Sequence, residues 1–331
     1  MQATKIWPSP KIVVIGGGTG TSTILKGLKK QTEELTAIIS VMDDGGSTGR
    51  LRKDLDLIAV GDLRACLLSL ANAENNMDQL LNYRFREGDL AGHNFGNIFI
   101  AAMNGIYSDF SDAIAMTAKI LNITGKVLPI TLDNANLVAR LSNGQVVKGE
   151  SKIGQVNHVE KTKILEISTD PGDIYMLDEA KEAIKQADLV ILGPGSLYTS
   201  VIPNLLAKGM VDLLYQTKAK VVYVSNIMCQ IGETENYSVK DHYEAIIRHS
   251  REGIIDYVVV NKADIDPDLL EVYRQASSDQ VIISDEDRDF FASKKVKLIE
   301  ANIAKVYAGL IRHDSDELAK VIVKEIYMQE S

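Results

Sequence analysis

The sequence predicts a Rossmann-like α/β fold: a mostly parallel sheet with helices on both faces, carrying a small antiparallel β insert. Short apolar runs alternate with helical patterns along most of the 331 residues. Glycine-rich or polar loops follow these runs, as expected where parallel strands pass into helices. One stretch near the middle changes to a period of two and contains Asn143-Gly144, a strong hairpin signal.

The composition is that of a globular protein, with 45% hydrophobic and 24% charged residues. The net charge of −9 argues against general electrostatic binding to nucleic acid or to an anionic membrane. The two distant cysteines form neither a metal motif nor a disulfide framework. No apolar run approaches the roughly 20 residues that span a bilayer. We therefore expect a cytoplasmic protein with no transmembrane segment, a loose leader over residues 1–10 and a single domain over 11–331.

The first βα unit is the most informative stretch. The apolar run KIVVI (Lys11–Ile15) enters the loop GGGTGTS (Gly16–Ser22) and then the helical pattern ILKGLKK. Such a loop surrounds a small space with backbone N–H groups and the positive end of a helix dipole, which favours phosphate. The match to the dinucleotide fingerprint is imperfect, since Thr21 stands where a glycine is expected, and no GxxxxGK(S/T) motif is present. A tight turn without a ligand is the alternative.

The second apolar run, LTAIISVM (Leu35–Met42), leads into DDGGSTGRLR. Acidic side chains at this place hold a ribose diol in nucleotide-binding sheets, which makes Asp43 and Asp44 candidate ligand contacts. Because neighbouring side chains in an extended segment point oppositely, we expect one to face the ligand and the other to cap the loop or hold Mg²⁺. Arg50 offers donors to a phosphate. A solvated Asp-Asp-Gly turn is the alternative.

Helical patterns follow. Asp62 is predicted to be the N-cap of a helix that also carries Arg64, and either residue has a purely structural alternative. Further on, Asn94 and Asn97 stand three residues apart at a helix start, which places both amides on one face beside His93.

The period of two over residues 126–165 predicts the antiparallel β insert. It carries few groups suited to chemistry, so we expect a structural or oligomer-contact role. Strand edges usually need covering, which predicts a homodimer.

The second half repeats the opening pattern. The apolar run ADLVIL leads into GPGSLYTS (Gly193–Ser200), a second loop suited to an oxyanion or a diphosphate. Asn226 follows another strand and is suited to contact a base or a sugar. We predict helices at Asp178–Gln186, Leu205–Gly209, Val239–His249 and Asp314–Tyr327, and strands at Lys218–Ser225, Tyr257–Asn261, Val281–Ile283 and Lys295–Leu298.

Ligand crevices of open α/β sheets lie beyond the carboxyl ends of the strands. The four unusual loops each follow a predicted strand, and so all should open on the same side. They are Gly16–Ser22, Asp43–Arg50, Gly193–Ser196 and Asn226–Ser238. This convergence predicts one shared pocket.

The ordered set GGGTG, DDGGSTGRLR, GDLR, GHNFGN, GPGSLYTS and NIMCQIGETENYS resembles the YvcK-type gluconeogenesis factor family over nearly the whole chain. That family is related to CofD, the 2-phospho-L-lactate transferase. The resemblance implies a CofD-like fold in a cytoplasmic bacterial protein that acts in growth on gluconeogenic carbon sources and in regulation of cell shape. It also implies binding of UDP-sugars such as UDP-N-acetylglucosamine. The transferase relatives hold guanosine diphosphate and a deazaflavin acceptor with Mg²⁺.

By this resemblance, Gly16–Gly20 is similar to the relatives' first phosphate-side loop, and Asp43-Asp44 to the acidic pair near their acceptor and metal. GPGSLYTS resembles their loop near the nucleotide. In the transferases the acidic pair is not followed by GGSTGRLR, and this departure argues against the transferase reaction here.

We therefore expect a nucleotide-sugar-binding regulatory protein. The alternatives are Mg²⁺-dependent transfer of a phospho-linked group from a nucleoside diphosphate, or binding of an NAD-type dinucleotide. Asp43 and Asp44 are the candidates for catalysis and for Mg²⁺, although no cofactor is certain and no reaction is established. The candidate ligand-binding residues are Gly17, Gly18, Thr19, Gly20, Thr21, Asp43, Asp44, Ser47, Arg50, Asp62, Arg64, His93, Asn94, Asn97, Gly193, Gly195, Ser196, Tyr198, Thr199 and Asn226.

Overall fold

A computed structural model describes residues 9–72, 75–107 and 109–330, so most of the predicted leader lies outside the described residues. The strands are β1 Ile12–Gly16, β2 Leu35–Ile39, β3 Lys126–Pro129, β4 Asn136–Leu141, β5 Val146–Lys148, β6 Ile164–Asp170, β7 Leu189–Leu192, β8 Lys220–Val224, β9 Tyr257–Asn261, β10 Lys297–Ala301, β11 Ala304–Tyr307 and β12 Leu310–His313. The helices are α1 Gly18–Leu28, α2 Gly46–Leu55, α3 Gly61–Leu70, α4 Asn75–Asn82, α5 Phe95–Ile106, α6 Phe110–Ile120, α7 Glu150–Glu160, α8 Asp178–Gln186, α9 Ile202–Leu205, α10 Met210–Gln216, α11 Val239–Arg248, α12 Pro267–Gln275, α13 Asp285–Lys294, α14 Ser315–Ile322 and α15 Met328–Glu330.

The predicted parallel sheet is confirmed. Among the described strands, seven form one sheet in the order β10-β9-β8-β7-β1-β2-β3, and every neighbouring pair runs parallel. The chain leaves β1 in one direction to β2 and β3, and later returns to its other side as β7. The junction of β1 and β7 is therefore the topological switch point, beyond which ligands bind in open sheets of this kind.

Successive side chains along the strands point to opposite faces of the sheet and belong to two hydrophobic cores, one on each face. In β1, Val13 and Ile15 belong to the core on one face, while Ile12 and Val14 belong to the core on the other. Burial on both faces explains why the strands read as continuous apolar runs rather than as alternating ones. Within the described part of the chain, no helix has the length and apolar character needed to cross a bilayer.

The small antiparallel sheet is confirmed, but its predicted range of 126–165 is not. The sheet has the order β5-β4-β6, with Asn143-Gly144 at the β4–β5 hairpin. The run KVLP is instead β3, the parallel edge strand beside β2. Within the run GESKI, Gly149 has a φ of 107° and ends the extended segment, and helix α7 begins at Glu150. The third strand of the small sheet, β6, continues beyond the predicted range to Asp170.

Several of the predicted helices and strands differ from the observed ones. The predicted helix over Leu205–Gly209 is wrong, because a π-helical turn at Leu197–Val201 and the short α9 come earlier and Gly209 adopts a φ of +86°. Val281–Ile283 is not a strand, although Val281 N donates to Ile227 O. Helices α12 and α13 and the β11–β12 hairpin were not predicted. Strand β2 ends at Ile39, three residues before the predicted end.

The turns after β1 and β7 pack against each other. Gly193 N donates to Ile15 O at 2.8 Å, and Thr21 Oγ1 donates to Pro194 O at 3.4 Å. A Cβ atom on Gly20 would lie 2.4 Å from Pro194 O and 2.9 Å from the Cα of Gly195. The first turn of α1 therefore approaches the second glycine loop so closely that only glycine fits.

We predict that Gly20→Ala lowers the free energy of unfolding by about 2–4 kcal/mol, because the added methyl group meets backbone rather than a movable side chain. The matched control is Gly105→Ala in α5, where a Cβ would meet nothing within 4 Å. That change should leave stability unchanged or raise it by about 0.5–1 kcal/mol. Urea unfolding of both variants measures the difference, and equal effects would contradict the close approach of the two turns.

Candidate functional site

The first glycine loop begins α1 without a side-chain cap. Gly17 is the extended N-cap residue, and Gly18 has a φ of +65°, which favours glycine. No acidic residue lies in the first turn of α1, so its own side chains leave the positive end of the helix dipole uncompensated. Behind the loop, the fully buried Asn204 donates from Nδ2 to Gly16 O at 3.1 Å. The loop is thus held in place from the core side.

Asp62 faces this loop from α3. It lies in the first turn of that helix and is not the N-cap, a position that Val60 occupies, so the predicted capping role is wrong. The N–H of Gly18 donates to its carboxylate. Burial, with the nearby charge of Asp43, raises the pKa of Asp62 to about 7. Near neutral pH the carboxyl group of Asp62 therefore carries a proton for part of the time, which reduces the negative charge beside the loop.

Asp43, Asp44 and Glu150 form an acidic group beside Asp62. One oxygen from each of the three lies within 4.8 Å of the others. Asp43 Oδ1 accepts from Gly45 N at 2.8 Å, and Asp44 Oδ1 accepts from Ser151 N at 2.9 Å. The expectation that the pair points in opposite directions is wrong, because β2 ends at Ile39 and the acids lie in a loop beyond it.

Glu150 is a site residue that the sequence did not indicate. It opens α7, in the region for which a structural role was expected. Burial and a hydrogen bond with Asp43 raise its pKa to about 9. Three carboxyl groups at this distance repel one another unless a proton or a cation lies between them, and hard oxygen donors of this kind suit Mg²⁺. The residues present therefore fit a divalent cation.

The buried side chain of Arg52 supports the loop that carries Asp43 and Asp44. Its guanidinium donates to Met42 O at 3.3 Å and to Asp43 O at 3.1 Å, and also to Ala135 O at 2.8 Å. Burial lowers the pKa of Arg52, while the charges of Asp44 and Asp43 oppose that shift. Arg52 thus fixes the loop but offers its donors to protein atoms.

Ser47, His93, Asn94 and Asn97 form a buried hydrogen-bonded cluster. Ser47 Oγ is 3.3 Å from His93 Nδ1 and accepts from Asn94 N at 3.1 Å. Asn94 caps α5 by accepting from Asn97 N at 3.1 Å, and Asn97 Oδ1 is buried without a partner among the described residues. Burial, then the charge of Arg50, lowers the pKa of His93. The cluster joins the starts of α2 and α5.

The second glycine loop is held by the segment after β8. Ser196 Oγ donates to Gln230 Oε1 at 2.6 Å, and Thr199 Oγ1 donates to Glu233 Oε1 at 3.2 Å. Glu233 Oε2 accepts from Tyr198 N at 3.3 Å, and burial raises the pKa of Glu233 to about 7. Gln230 and Glu233 are site residues that the sequence did not indicate, although they lie in Asn226–Ser238, one of the four unusual loops.

Three predicted ligand contacts point elsewhere. Arg50 is exposed and donates to Ala91 O at 3.0 Å, while Arg64 donates to Leu81 O at 3.2 Å. Tyr198 is fully buried, with its hydroxyl 2.9 Å from that of Tyr237, so only its backbone faces the loop. Asn226 follows β8 and is half-buried at the same rim. Arg50 and Arg64 thus each use a donor on a backbone carbonyl of the protein.

Comparison with known proteins identifies relatives over nearly the whole chain. The model of the family described as 2-phospho-L-lactate transferase CofD matches residues 12–304. A protein of Clostridium acetobutylicum, named provisionally as a gluconeogenesis factor, is 48% identical over 317 residues, which cover 96% of this chain and 70% of that protein. The gluconeogenesis factor of Bacillus subtilis is 39% identical over 315 residues, covering 95% of this chain and 97% of its own.

Solved structures agree with these relatives. A crystal structure of a protein from Bacillus halodurans is similar with a TM-score of 0.91 and 37% identity, covering 96% of this chain and all of that one. A second structure, described as a member of the UPF0052 family, has a TM-score of 0.89, 38% identity and coverage of 95% of this chain and 99% of that one. The fold and the resemblance predicted from the ordered motifs are confirmed.

We predict a pH-dependent effect of Asp62→Asn on stability. Because the pKa of Asp62 is about 7 in the folded protein and 3.8 when unperturbed, folding takes up a proton, and stability falls as pH rises between these values. The variant should therefore be more stable than the parent by about 2–4 kcal/mol at about pH 8, with little difference at about pH 4. Asp289→Asn, at the surface, is the control and should track the parent at both pH values in thermal unfolding. A gain from Asp62→Asn that is the same at both pH values would contradict the shift.

Proposed function

Because the chain belongs to the CofD family, in its gluconeogenesis-factor branch, we propose that it is a regulatory protein that binds a nucleoside diphosphate sugar. The ligand class is a UDP-sugar, with UDP-N-acetylglucosamine as the representative. The single observation that carries this proposal is the packing of two glycine turns against each other at the switch point of the sheet. The names of the relatives support a role in growth on gluconeogenic carbon sources. Regulation of cell shape, a cytoplasmic location and a homodimer belong to the same proposal.

The diphosphate is expected between the two turns. Backbone N–H groups at the start of α1 and after Gly193 lie on one rim, and the dipole of α1 adds positive potential there. The N–H of Gly18 is already taken by Asp62, so a phosphate has to use its neighbours or replace that carboxylate. The half-buried Ser196 supplies a hydroxyl beside the second turn.

The acidic residues around the two turns limit the conditions under which a diphosphate can bind there. Asp43, Asp44, Asp62, Glu150 and Glu233 would repel a diphosphate if all were ionised. The raised pKa values of Asp62, Glu150 and Glu233 keep part of this charge neutral, and a divalent cation on Asp43, Asp44 and Glu150 would offset the rest. We therefore expect binding to strengthen with Mg²⁺ and to weaken as pH rises above neutrality.

A second candidate function is transfer of a phospho-linked group from a nucleoside diphosphate donor. The grouping of Asp43, Asp44 and Glu150 favours it, because Mg²⁺ on these oxygens would neutralise a leaving phosphate. An NAD-type dinucleotide is less favoured, since Thr21 stands where the dinucleotide fingerprint has a glycine.

Calorimetry with UDP-N-acetylglucosamine, guanosine diphosphate and NAD, each with and without Mg²⁺, separates these functions. We expect UDP-N-acetylglucosamine to bind with Kd of about 1 mM or below. No heat at millimolar ligand would exclude the proposed function. Turnover that requires Mg²⁺ and is lost in Asp43→Asn or Asp44→Asn would instead establish the transferase.

We predict that Ser196→Asp weakens binding of UDP-N-acetylglucosamine at least about tenfold, because it adds a negative charge where the diphosphate is expected. Ser293→Asp, on the exposed side of α13, adds the same charge far from the crevice and is the control. The same titrations measure both variants. Unchanged affinity in Ser196→Asp, with the fold intact by circular dichroism, would exclude the second turn from the binding site.

A further inference from the structure

Helix α7 belongs to the antiparallel insert, yet it contacts the rim of the main sheet on both sides of the switch point. The strand order β8-β7-β1-β2 places β8 and β2 on either side of the central pair. Ser151 N, in the first turn of α7, donates to Asp44 Oδ1 in the loop after β2 at 2.9 Å. Towards the other end of the helix, Asn157 Nδ2 donates to Gly232 O in the segment after β8 at 2.7 Å. Helix α7 therefore lies across the carboxyl ends of β7 and β1, where the diphosphate is expected.

The contact between α7 and the segment after β8 is close enough to involve backbone atoms on both sides. A Cβ atom on Gly232 would collide with Gly154 O, in the middle of α7. The next residue, Glu233, accepts from Tyr198 N at 3.3 Å and from Thr199 Oγ1 at 3.2 Å in the second glycine loop. The position of α7 therefore bears on the segment that holds this loop.

Few buried groups hold α7 in this position. Of its 11 residues, only Ile153 and Asn157 are buried. A helix of this length is marginal in water on its own, so the contacts at its ends contribute much of its stability. Its N-cap residue, Gly149, makes no side-chain cap. The N–H groups of the first turn therefore need an acceptor from another part of the chain.

Asp44 supplies that acceptor, although 107 residues separate it from Ser151. Its carboxylate does what the side chain of an N-cap residue does elsewhere, and its negative charge lies at the positive end of the helix dipole. Gly149 permits this approach, because a Cβ there would lie 2.5 Å from Asp44 Oδ2 and its φ of +107° favours glycine. Glu150, which stands between Gly149 and Ser151, is thereby placed beside Asp43.

We propose that Asp44 is a positioning residue: it acts as the remote N-cap of α7 and so holds this helix over the crevice as one of its walls. The capping of α7 stands on the contacts within the protein. Its effect on ligand binding rests on the proposed function.

The first experiment compares Asp44→Ala with Asp44→Asn in the full chain, without Mg²⁺ and without nucleotide. Both changes remove the charge, but only asparagine keeps a side-chain oxygen that can accept from Ser151 N. We expect amide hydrogen exchange over residues 151–157 to be at least about fivefold faster in Asp44→Ala than in Asp44→Asn. A residue that acts only through its charge, for example by holding a cation, would give the same exchange in both variants, and that result overturns the proposal.

Asp109 provides the matched control. It is the ordinary N-cap of α6, where its side chain accepts from Ser111 N and Asp112 N. Asp109→Ala should exchange faster than Asp109→Asn in α6, with α7 unchanged, because the same capping chemistry is removed at another helix. Exchange that accelerates equally in α6 and α7 of Asp44→Ala would indicate a loss of global stability and would also overturn the proposal.

The second experiment measures the affinity of the same four variants for UDP-N-acetylglucosamine, again without Mg²⁺. We expect Asp44→Ala to bind at least about threefold more weakly than Asp44→Asn, and the two Asp109 variants to agree within about twofold. Equal affinities of the two Asp44 variants, with faster exchange in α7 of Asp44→Ala, would exclude α7 as a wall of the ligand site. If the parent does not bind UDP-N-acetylglucosamine at all, the proposed function fails, and hydrogen exchange still decides whether Asp44 holds α7.

Discussion

The candidate site depends on the close approach of two backbone turns at the centre of the sheet. A parallel sheet whose strand order reverses between β1 and β7 leaves a gap beyond their carboxyl ends. In this protein the gap is narrow, because α1 approaches Pro194 O at Gly20. Any side chain on Gly20 would collide with that carbonyl oxygen. This contact joins segments that lie far apart in sequence, since 173 residues separate Thr21 from Pro194. Without it, neither turn alone would distinguish the site from an ordinary strand–helix connection.

The charged groups around the two glycine turns differ from those of common phosphate-binding sites. Carboxyl groups from α3, α7 and the two loops after β2 and β8 surround the turns, while Arg50 and Arg64 bond to backbone carbonyls away from them. Burial and mutual repulsion raise the pKa of several of these acids. Acids with raised pKa values cluster at functional sites, both in proteins that bind a ligand and in proteins that transform one.

Much of the fold could be predicted from the sequence, because strands buried on both faces read as unbroken apolar runs and the loops after them carry glycine. The convergence of the turns at Gly16 and Gly193 followed from the rule for carboxyl ends of parallel strands. Glu150 could not be predicted, since its place beside Asp43 depends on how the β insert folds back over the sheet. The directions of Arg50, Arg64 and Tyr198 depend on tertiary packing, and sequence spacing does not contain that information.

The most direct measurement is a crystal structure of the chain with UDP-N-acetylglucosamine and Mg²⁺. We predict diphosphate oxygens within about 3.2 Å of backbone nitrogens from both glycine turns. The metal should lie on oxygens of Asp43, Asp44 or Glu150. A diphosphate found at the amino ends of the strands would contradict the shared rim and the ligand proposal built on it.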